Sequence, residues 1–320
     1  MKKYKICKIL LVILAIFLCV AFYELLGICV AYKKQPEVSN TTKKETKNGS
    51  WNECSENTER AVIIEKNPEA LLQRVRLIKN AKKEIILSTF AFQSDESGKL
   101  ILGALHDAAD RGVHIRLLVD GMESWIDMEG NPYFYGLSSH ENVEIKLYNK
   151  ANPLKPWKMM GRMHDKYLIA DGKRYILGGR NTYNYFLGDF PGHKNYDRDV
   201  LVVCDEPEKE NSVNQLLEYF ETIWEQEDSG YFHDNKKLAN RKSVKNAVLE
   251  LQNGYQKYFE ENKERICDTD YTDETFETEK IALVSNPIHT GPKEPVVWYQ
   301  LGELMKNAKE RVKIHTPYII

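Results

Sequence analysis

The chain has 320 residues, a formal net charge of -2 at neutral pH, 42% apolar residues and 29% charged residues. That composition supplies a core for one large domain or two ordinary ones and excludes disorder over most of the length. The near-neutral balance excludes a broad basic surface for nucleic acid, which needs many Lys and Arg contacts to phosphates, while leaving room for a local basic cleft.

Residues 1–32 begin with MKKYKICK, four lysines, and continue with twenty-four residues whose one charge is Glu24. About 20 apolar residues cross a bilayer, so this segment reads as a signal anchor, a transmembrane helix. A cleaved signal peptide is the alternative, since Cys29 and Ala31 form a small-x-small pattern, but the apolar run exceeds the roughly 7–15 residues of such peptides. The leading lysines place the N-terminus in the cytoplasm and the remainder outside the cell membrane, with Lys33, Lys34, Lys43 and Lys44 pulling the other way. Residues 33–59 are rich in Asn, Thr, Lys and Glu without apolar periodicity, the composition of a polar linker.

A folded domain is expected over 60–235. EIILSTFAF (84–92) reads as a strand, GKLILGALHDAADR (98–111) as a helix stopped by Gly112, and VHIRLLVD (113–120) as the next strand. This strand, helix and strand form a βαβ unit with parallel strands and a right-handed crossover. VEIKLYN (143–149) extends the sheet, SVNQLLEYFETIWEQ (212–226) is a helix, and 236–280 is a charged connecting segment with a weaker helix and loops. LIKNAKKEIILSTFAF (77–92) aligns without gaps on LMKNAKERVKIHTPYI (304–319), with KNAK at the same helix-to-strand turn. Residues 281–320 are therefore expected to start a second copy of the domain and to stop within its first strand.

The densest chemistry lies in MHDKYLIADGKRYILGGRN, Met163–Asn181. Asp171-Gly172 is a strong hairpin signal. Alternation along the first strand puts His164, Lys166 and Leu168 on one face and Asp165 and Tyr167 on the other. A two- or four-residue loop then adds Leu177, Gly179 and Asn181 to the face of His164 and Lys166. An imidazole, an ammonium, an open glycine and an amide on one patch suit a phosphate: the Lys and Asn bind its oxygens while the His attacks phosphorus. Between Lys150 and Asn181 there are eight Lys or Arg against two Asp, so the basic charge gathers around this histidine. A neutral imidazole needs its second nitrogen held by an acceptor. Asp171 itself suits the turn, because Asp there bonds its own backbone.

The remaining histidines read as structural or exposed: His106 in a helix, His114 in a strand, His193 in a loop, His315 aligned with Ser88. Trp51, Trp125, Trp157, Trp224 and Trp298 lack the spacing for base stacking, which leaves core or membrane-interface packing. The six cysteines show no C-x-x-C pair, so neither a zinc site nor a disulfide framework is expected. A bridge among Cys54, Cys204 and Cys267 stays open for a domain outside the cytosol.

His164-x-Lys166-x4-Asp171 followed by Gly178-Gly179-Arg180-Asn181 resembles the H-x-K-x4-D signature of the phospholipase D superfamily, and RMHDKYLIADGKRYILGGRN is most similar to its bacterial cardiolipin synthase branch. ADRGVHIRLLVDG, NVEIKLYN, RDVLVV, FETIW and ALVSNP followed by TPYI agree, so the likeness covers roughly 60–320. It implies an α/β fold, a mixed β-sheet flanked by helices, with the first repeat complete and the second truncated. It also implies phosphatidyl transfer between phosphatidylglycerol molecules through a phosphohistidine, without metal or cofactor. On that pattern His164, Lys166, Asp171 and Asp199 are the catalytic set, with Asp199 orienting the histidine and Asp197 in reserve, and Lys166, Gly179 and Asn181 bind the substrate phosphate. The implied partners are an anionic phospholipid and a membrane, not nucleic acid. The branch carries two such motifs and this chain carries one, so a homodimer with facing copies of His164 would complete the site. The alternatives are a hydrolase, either a phospholipase or a nuclease, and an inactive truncated protein that binds headgroups.

Overall fold

A computed structural model of the chain describes residues 2–47, 59–204, 211–233 and 235–314. The chain divides into two compact units, one of Met1–Cys54, Pro153–Gly161 and Ala282–Ile320, the other of Ser55–Asn152 and Arg162–Ile281.

In the first unit α1 (Lys2–Ala31) is one continuous helix. Its Tyr4–Ala31 stretch is long and apolar enough to cross a membrane. The stretch expected as a structureless tether instead holds α2 (Asn40–Lys47), whose start is fixed by Ser39: its Oγ accepts from the Thr42 backbone N–H at 3.1 Å. Glu294 secures the same turn, accepting from the Ser39 N–H at 2.8 Å and the Thr42 hydroxyl at 2.7 Å.

The second unit is built on a mixed sheet. Its elements in chain order are β1 (Arg60–Ile64), α3 (Asn67–Asn80), β2 (Glu84–Thr89), α4 (Glu96–Asp110), β3 (His114–Asp120), α5 (Gly121–Asp127), α6 (Pro132–Ser138) and β4 (Val143–Tyr148). Then follow β5 (Tyr167–Ala170), β6 (Arg174–Gly178), β7 (Asp199–Val203), α7 (Ser212–Trp224), β8 (Ser229–Tyr231), α8 (Lys242–Glu261), α9 (Lys263–Cys267) and β9 (Phe276–Glu277). The strand order is β8-β4-β3-β2-β5-β6-β7-β1-β9. β2, β3 and β4 run parallel, joined through α4 and through α5 with α6, and the other pairings are antiparallel. The alternation of β3 shows why helices cover both faces: Ile115, Leu117 and Val119 join the main core with Leu102 and Leu105 of α4, while Arg116 turns to α7, over the rings of Phe220 and Trp224.

The charged segment 236–280 holds a helix among its loops, as its sequence suggests. Residues 242–261 form the twenty-residue α8, which buries Val244, Ala247, Leu251, Tyr255 and Phe259 at helical spacing. Its charges lie on the other faces, and its apolar stripe is what packs it against the domain.

The repeat is visible as a helix only. α10 (Val296–Asn307), in the first unit, ends on Asn307 as α3 ends on Asn80, the aligned residue. The strand expected after it is absent from the described part, 309–314, and His315 and the TPYI segment lie outside the described residues. A strand needs a neighbour to satisfy its backbone: β2 has β3 and β5 beside it, and the described residues of the first unit contain no strand. No bridge joins Cys204, which is buried, to Cys267, which is exposed, and Cys54 lies outside the described residues.

Candidate active site

The hairpin at Asp171 has a three-residue loop. Ala170 pairs with Arg174 and Tyr167 with Leu177, so even positions face even positions across β5 and β6. This corrects the loop lengths expected from sequence. Asp171 and Gly172 both take left-handed backbone angles, φ 55° and 62°, which Asp and Gly tolerate better than other residues. The shift by one residue changes the partners. Leu177 lies across from Tyr167, and Lys166 accepts through its carbonyl from the Gly178 N–H at 3.1 Å.

The alternation along the first strand is kept although β5 begins only at Tyr167. Asp165 accepts from the Tyr219 hydroxyl of α7 at 2.8 Å, and Tyr167 packs on Tyr219 and Phe220. His164 and Lys166 turn the other way, toward Phe90, the residue after β2. The imidazole packs edge-on against that ring at 4.6 Å between centroids, and the Lys166 ammonium lies 5.3 Å from its centre. The Arg162 guanidinium shares the ring at 4.9 Å. Two cations and an imidazole thus surround one apolar plate, and the cations gain from the negative ring face.

Asp120, the last residue of β3, organises this cluster. Its buried carboxylate accepts from Arg162 Nε at 2.8 Å and from the Met163 N–H at 3.0 Å, and it caps α5 through the N–H groups of Met122 and Glu123. Phe90 and Asp120 therefore place the site beyond the C-terminal ends of two adjacent parallel strands, where open α/β sheets hold their ligands. Sequence reading assigned no role to either. The available signal was their position at the ends of EIILST and HIRLLVD.

Electrostatics separate the two groups by role. Partial desolvation, followed by the charge of Lys166, holds His164 below the ordinary histidine range, against the opposing pull of Asp120. Burial brings Lys166 down to about 8, with Asp165, Asp197 and Asp120 resisting. At neutral pH the site therefore presents a neutral imidazole beside a protonated amine. Lys166 donates to the His164 carbonyl at 2.6 Å, which fixes the ammonium next to the histidine.

The other expected site residues separate. Asn181 joins the Phe90 side: its Oδ1 accepts from the Ala91 N–H at 3.2 Å, because the chain leaves the strand after Gly178 and runs beside residues 91–93. Gly179 does not open space for a ligand. A Cβ there would lie 2.0 Å from the Asp197 carboxylate, and one on Gly178 would lie 2.0 Å from that of Asp199. The paired glycines admit Asp199, the first residue of β7, and Asp197 just before it. Asp199, expected to orient the histidine, is 1% exposed and held at 2.9 Å by Arg74 and at 3.2 Å by Arg180, which makes it the anchor of a buried ion cluster. Asp165, Asp197 and Asp120 hold charge on Lys166 and Asp120 does so on His164, so the reserve choice, Asp197, acts on the lysine of the pair. Asp171 sits at the hairpin tip, seven residues from His164, and accepts the backbone N–H groups of Lys82, Lys83 and Glu84 at 2.8, 2.7 and 3.0 Å. It ties the hairpin to the turn before β2 and does not join the Phe90 cluster.

Residues 74–224 match the family model described as "Cardiolipin synthase, PLD-like domain". The chain is 28% identical over 292 residues to an uncharacterized protein of Helicobacter pylori, covering 81% of this chain and 54% of that protein. It is 29% identical over 171 residues to cardiolipin synthase C of Escherichia coli, covering 49% of this chain and 34% of that enzyme. The chain thus spans about half the length, or less, of these curated relatives. Among solved structures it is similar to NucT from Helicobacter pylori, with 17% identity, a TM-score of 0.43 and coverage of 54% of this chain and 99% of that one. The exclusion of nucleic acid drawn from net charge is withdrawn. Whole-chain charge does not describe a local site, and a phosphodiester presents the same charged oxygens in a lipid and in a nucleic acid.

Proposed function

Since residues 74–224 belong to the phospholipase D superfamily, we propose that the chain is a membrane-anchored phosphodiester-transferring enzyme of cardiolipin synthase type. The observation that carries the reading is the convergence of the His164 imidazole and the Lys166 ammonium on one Phe90 ring, with the histidine's pKa lowered. In the proposed reaction a neutral His164 nitrogen attacks the phosphorus of phosphatidylglycerol. A phosphorus–nitrogen bond forms, the phosphorus–oxygen bond to glycerol breaks, and the departing oxygen takes a proton from a second histidine. The hydroxyl of a second phosphatidylglycerol then gives that proton back as it attacks the phosphohistidine, releasing His164 and forming cardiolipin. Lys166 and an N–H of Asn181 bind the non-bridging oxygens, and Asp120 is the carboxylate whose charge favours the protonated imidazole. These 320 residues carry one H-x-K motif; the second histidine belongs to a second copy of the motif, and a homodimer is one arrangement that supplies it. The apolar α1 keeps this site at a lipid surface, with the N-terminal lysines in the cytoplasm and the domain outside.

The test is incubation of the full chain with phosphatidylglycerol in mixed micelles, followed by lipid separation and acid-labile phosphate analysis. Cardiolipin, glycerol and a phosphohistidine that disappears in His164→Ala are expected. Phosphatidic acid as the sole product would make the acceptor water. Cleavage of an oligonucleotide without any lipid product would replace the lipid reading with a nuclease, and binding of lipid without turnover would leave an inert headgroup-binding protein.

A further inference from the structure

Residues 153–160 separate Asn152 of the sheet-bearing unit from Arg162, and they belong to the unit that contains α1. They place large apolar side chains in the open: Leu154 is 77% exposed, Trp157 44% and Met160 57%. Lysines 155 and 158 alternate with them. Isolated apolar residues on a surface need no explanation, but three in seven residues with interleaved lysines form a patch with a polar rim. The short 3-10 turn Pro156–Lys158 lies against α1. A Cβ on Gly27 would lie 2.5 Å from the Pro156 ring, so only glycine permits this approach, and the Tyr23 hydroxyl donates to the Leu154 carbonyl at 3.0 Å.

The height of that contact along α1 decides what covers the patch. If the lysines up to Lys8 stay among the headgroups, a hydrocarbon span of about 20 residues runs from Ile9 to Ile28. Gly27 then lies at its far boundary, and Tyr23 roughly 6 Å deeper at 1.5 Å per residue. Interfacial segments bury their apolar side about 5–10 Å into the boundary of headgroups and acyl chains, with Trp at the headgroup level and Lys side chains reaching outward.

We propose that residues 153–160 form an interfacial membrane-docking segment, in which Leu154, Trp157 and Met160 enter the same bilayer leaflet that surrounds the end of α1 while Lys155 and Lys158 meet anionic headgroups. The inference rests on α1 spanning the membrane, and it adds a second attachment four residues before His164 in sequence. The covalent path from the lipid surface to the candidate nucleophile is then Gly161, Arg162 and Met163.

The test uses the full chain in phosphatidylcholine–phosphatidylglycerol vesicles with brominated acyl chains, which quench tryptophan only within the bilayer. α1 contains no tryptophan, so the difference between the wild type and Trp157→Phe isolates Trp157. The expected result is that the bromine-dependent loss of emission shrinks in the variant, and that the Trp157 emission is shielded from aqueous acrylamide. Alkaline carbonate extraction reads α1 separately. Unchanged quenching in Trp157→Phe, with the protein still in the membrane pellet, overturns the docking segment and leaves the anchor standing; it would make the patch a protein-binding surface. Release of the wild type into the supernatant overturns the anchor and the docking segment together.

Discussion

The third residue of the H-x-K-x4-D pattern offers the sharpest separation of structure from chemistry. Asp171 receives the N–H groups of Lys82, Lys83 and Glu84, and its own backbone is left-handed. At about 0.5–1.5 kcal/mol net per hydrogen bond, and toward the lower half because the turn is partly exposed, the three together are worth about 2–3 kcal/mol. Alanine keeps the left-handed Cβ without the short polar side chain that eases it for Asp, whereas glycine is free of it. Asp171→Ala should therefore lose somewhat more than the roughly 2–3 kcal/mol of the hydrogen bonds, Asp171→Gly somewhat less, and Asp171→Asn least, since its amide oxygen still accepts and Asn tolerates the backbone. For a domain of this size each kcal/mol lowers Tm by about 2–4 °C. Circular dichroism melts of the three variants should fall in that order, while turnover measured well below every Tm stays within about threefold of wild type, a tolerance of under 1 kcal/mol. The hairpin tip is as much as roughly 20 Å from His164 along the strand, at 3.3 Å per residue. An Asp171→Asn enzyme that melts like the wild type but turns over orders of magnitude more slowly would refute this reasoning and return Asp171 to the chemistry.

The remaining expectations concern the site itself. The pH profile of kcat/KM should be bell-shaped: it rises as His164 becomes neutral, below the ordinary histidine range, and falls as the proton-donating second histidine and, near pH 8, Lys166 lose their protons. Lys166→Arg should remove the step near pH 8 and leave the histidine steps, even where activity is low. Gly179→Ala should displace the Asp197 carboxylate and lower both kcat and stability, whereas an ordinary loop glycine would show neither effect in activity and melting assays. Asp199→Asn leaves Arg74 and Arg180 buried with a neutral partner and should cost about 3–5 kcal/mol in a denaturant titration.

Several features could be read from the chain alone. The period of two is a property of the extended backbone, so the opposite directions of His164 and Lys166 on one side and Asp165 on the other needed no knowledge of the fold. The apolar length of α1 and the βαβ order of β2, α4 and β3 are equally local. The parity of the hairpin was not, because one residue in the loop exchanges every cross-strand partner, and both the two- and the four-residue loops considered give the wrong one. Nor could sequence choose between Asp197 and Asp199. They stand two residues apart, and their different partners come from Gly178 and Gly179 at the end of β6 and from Arg74, far away in α3. Phe90 and Asp120 join the site only because parallel strands end side by side, a contact between residues separated by a crossover helix. Covalent geometry decides which way a side chain points; only tertiary pairing decides what it meets.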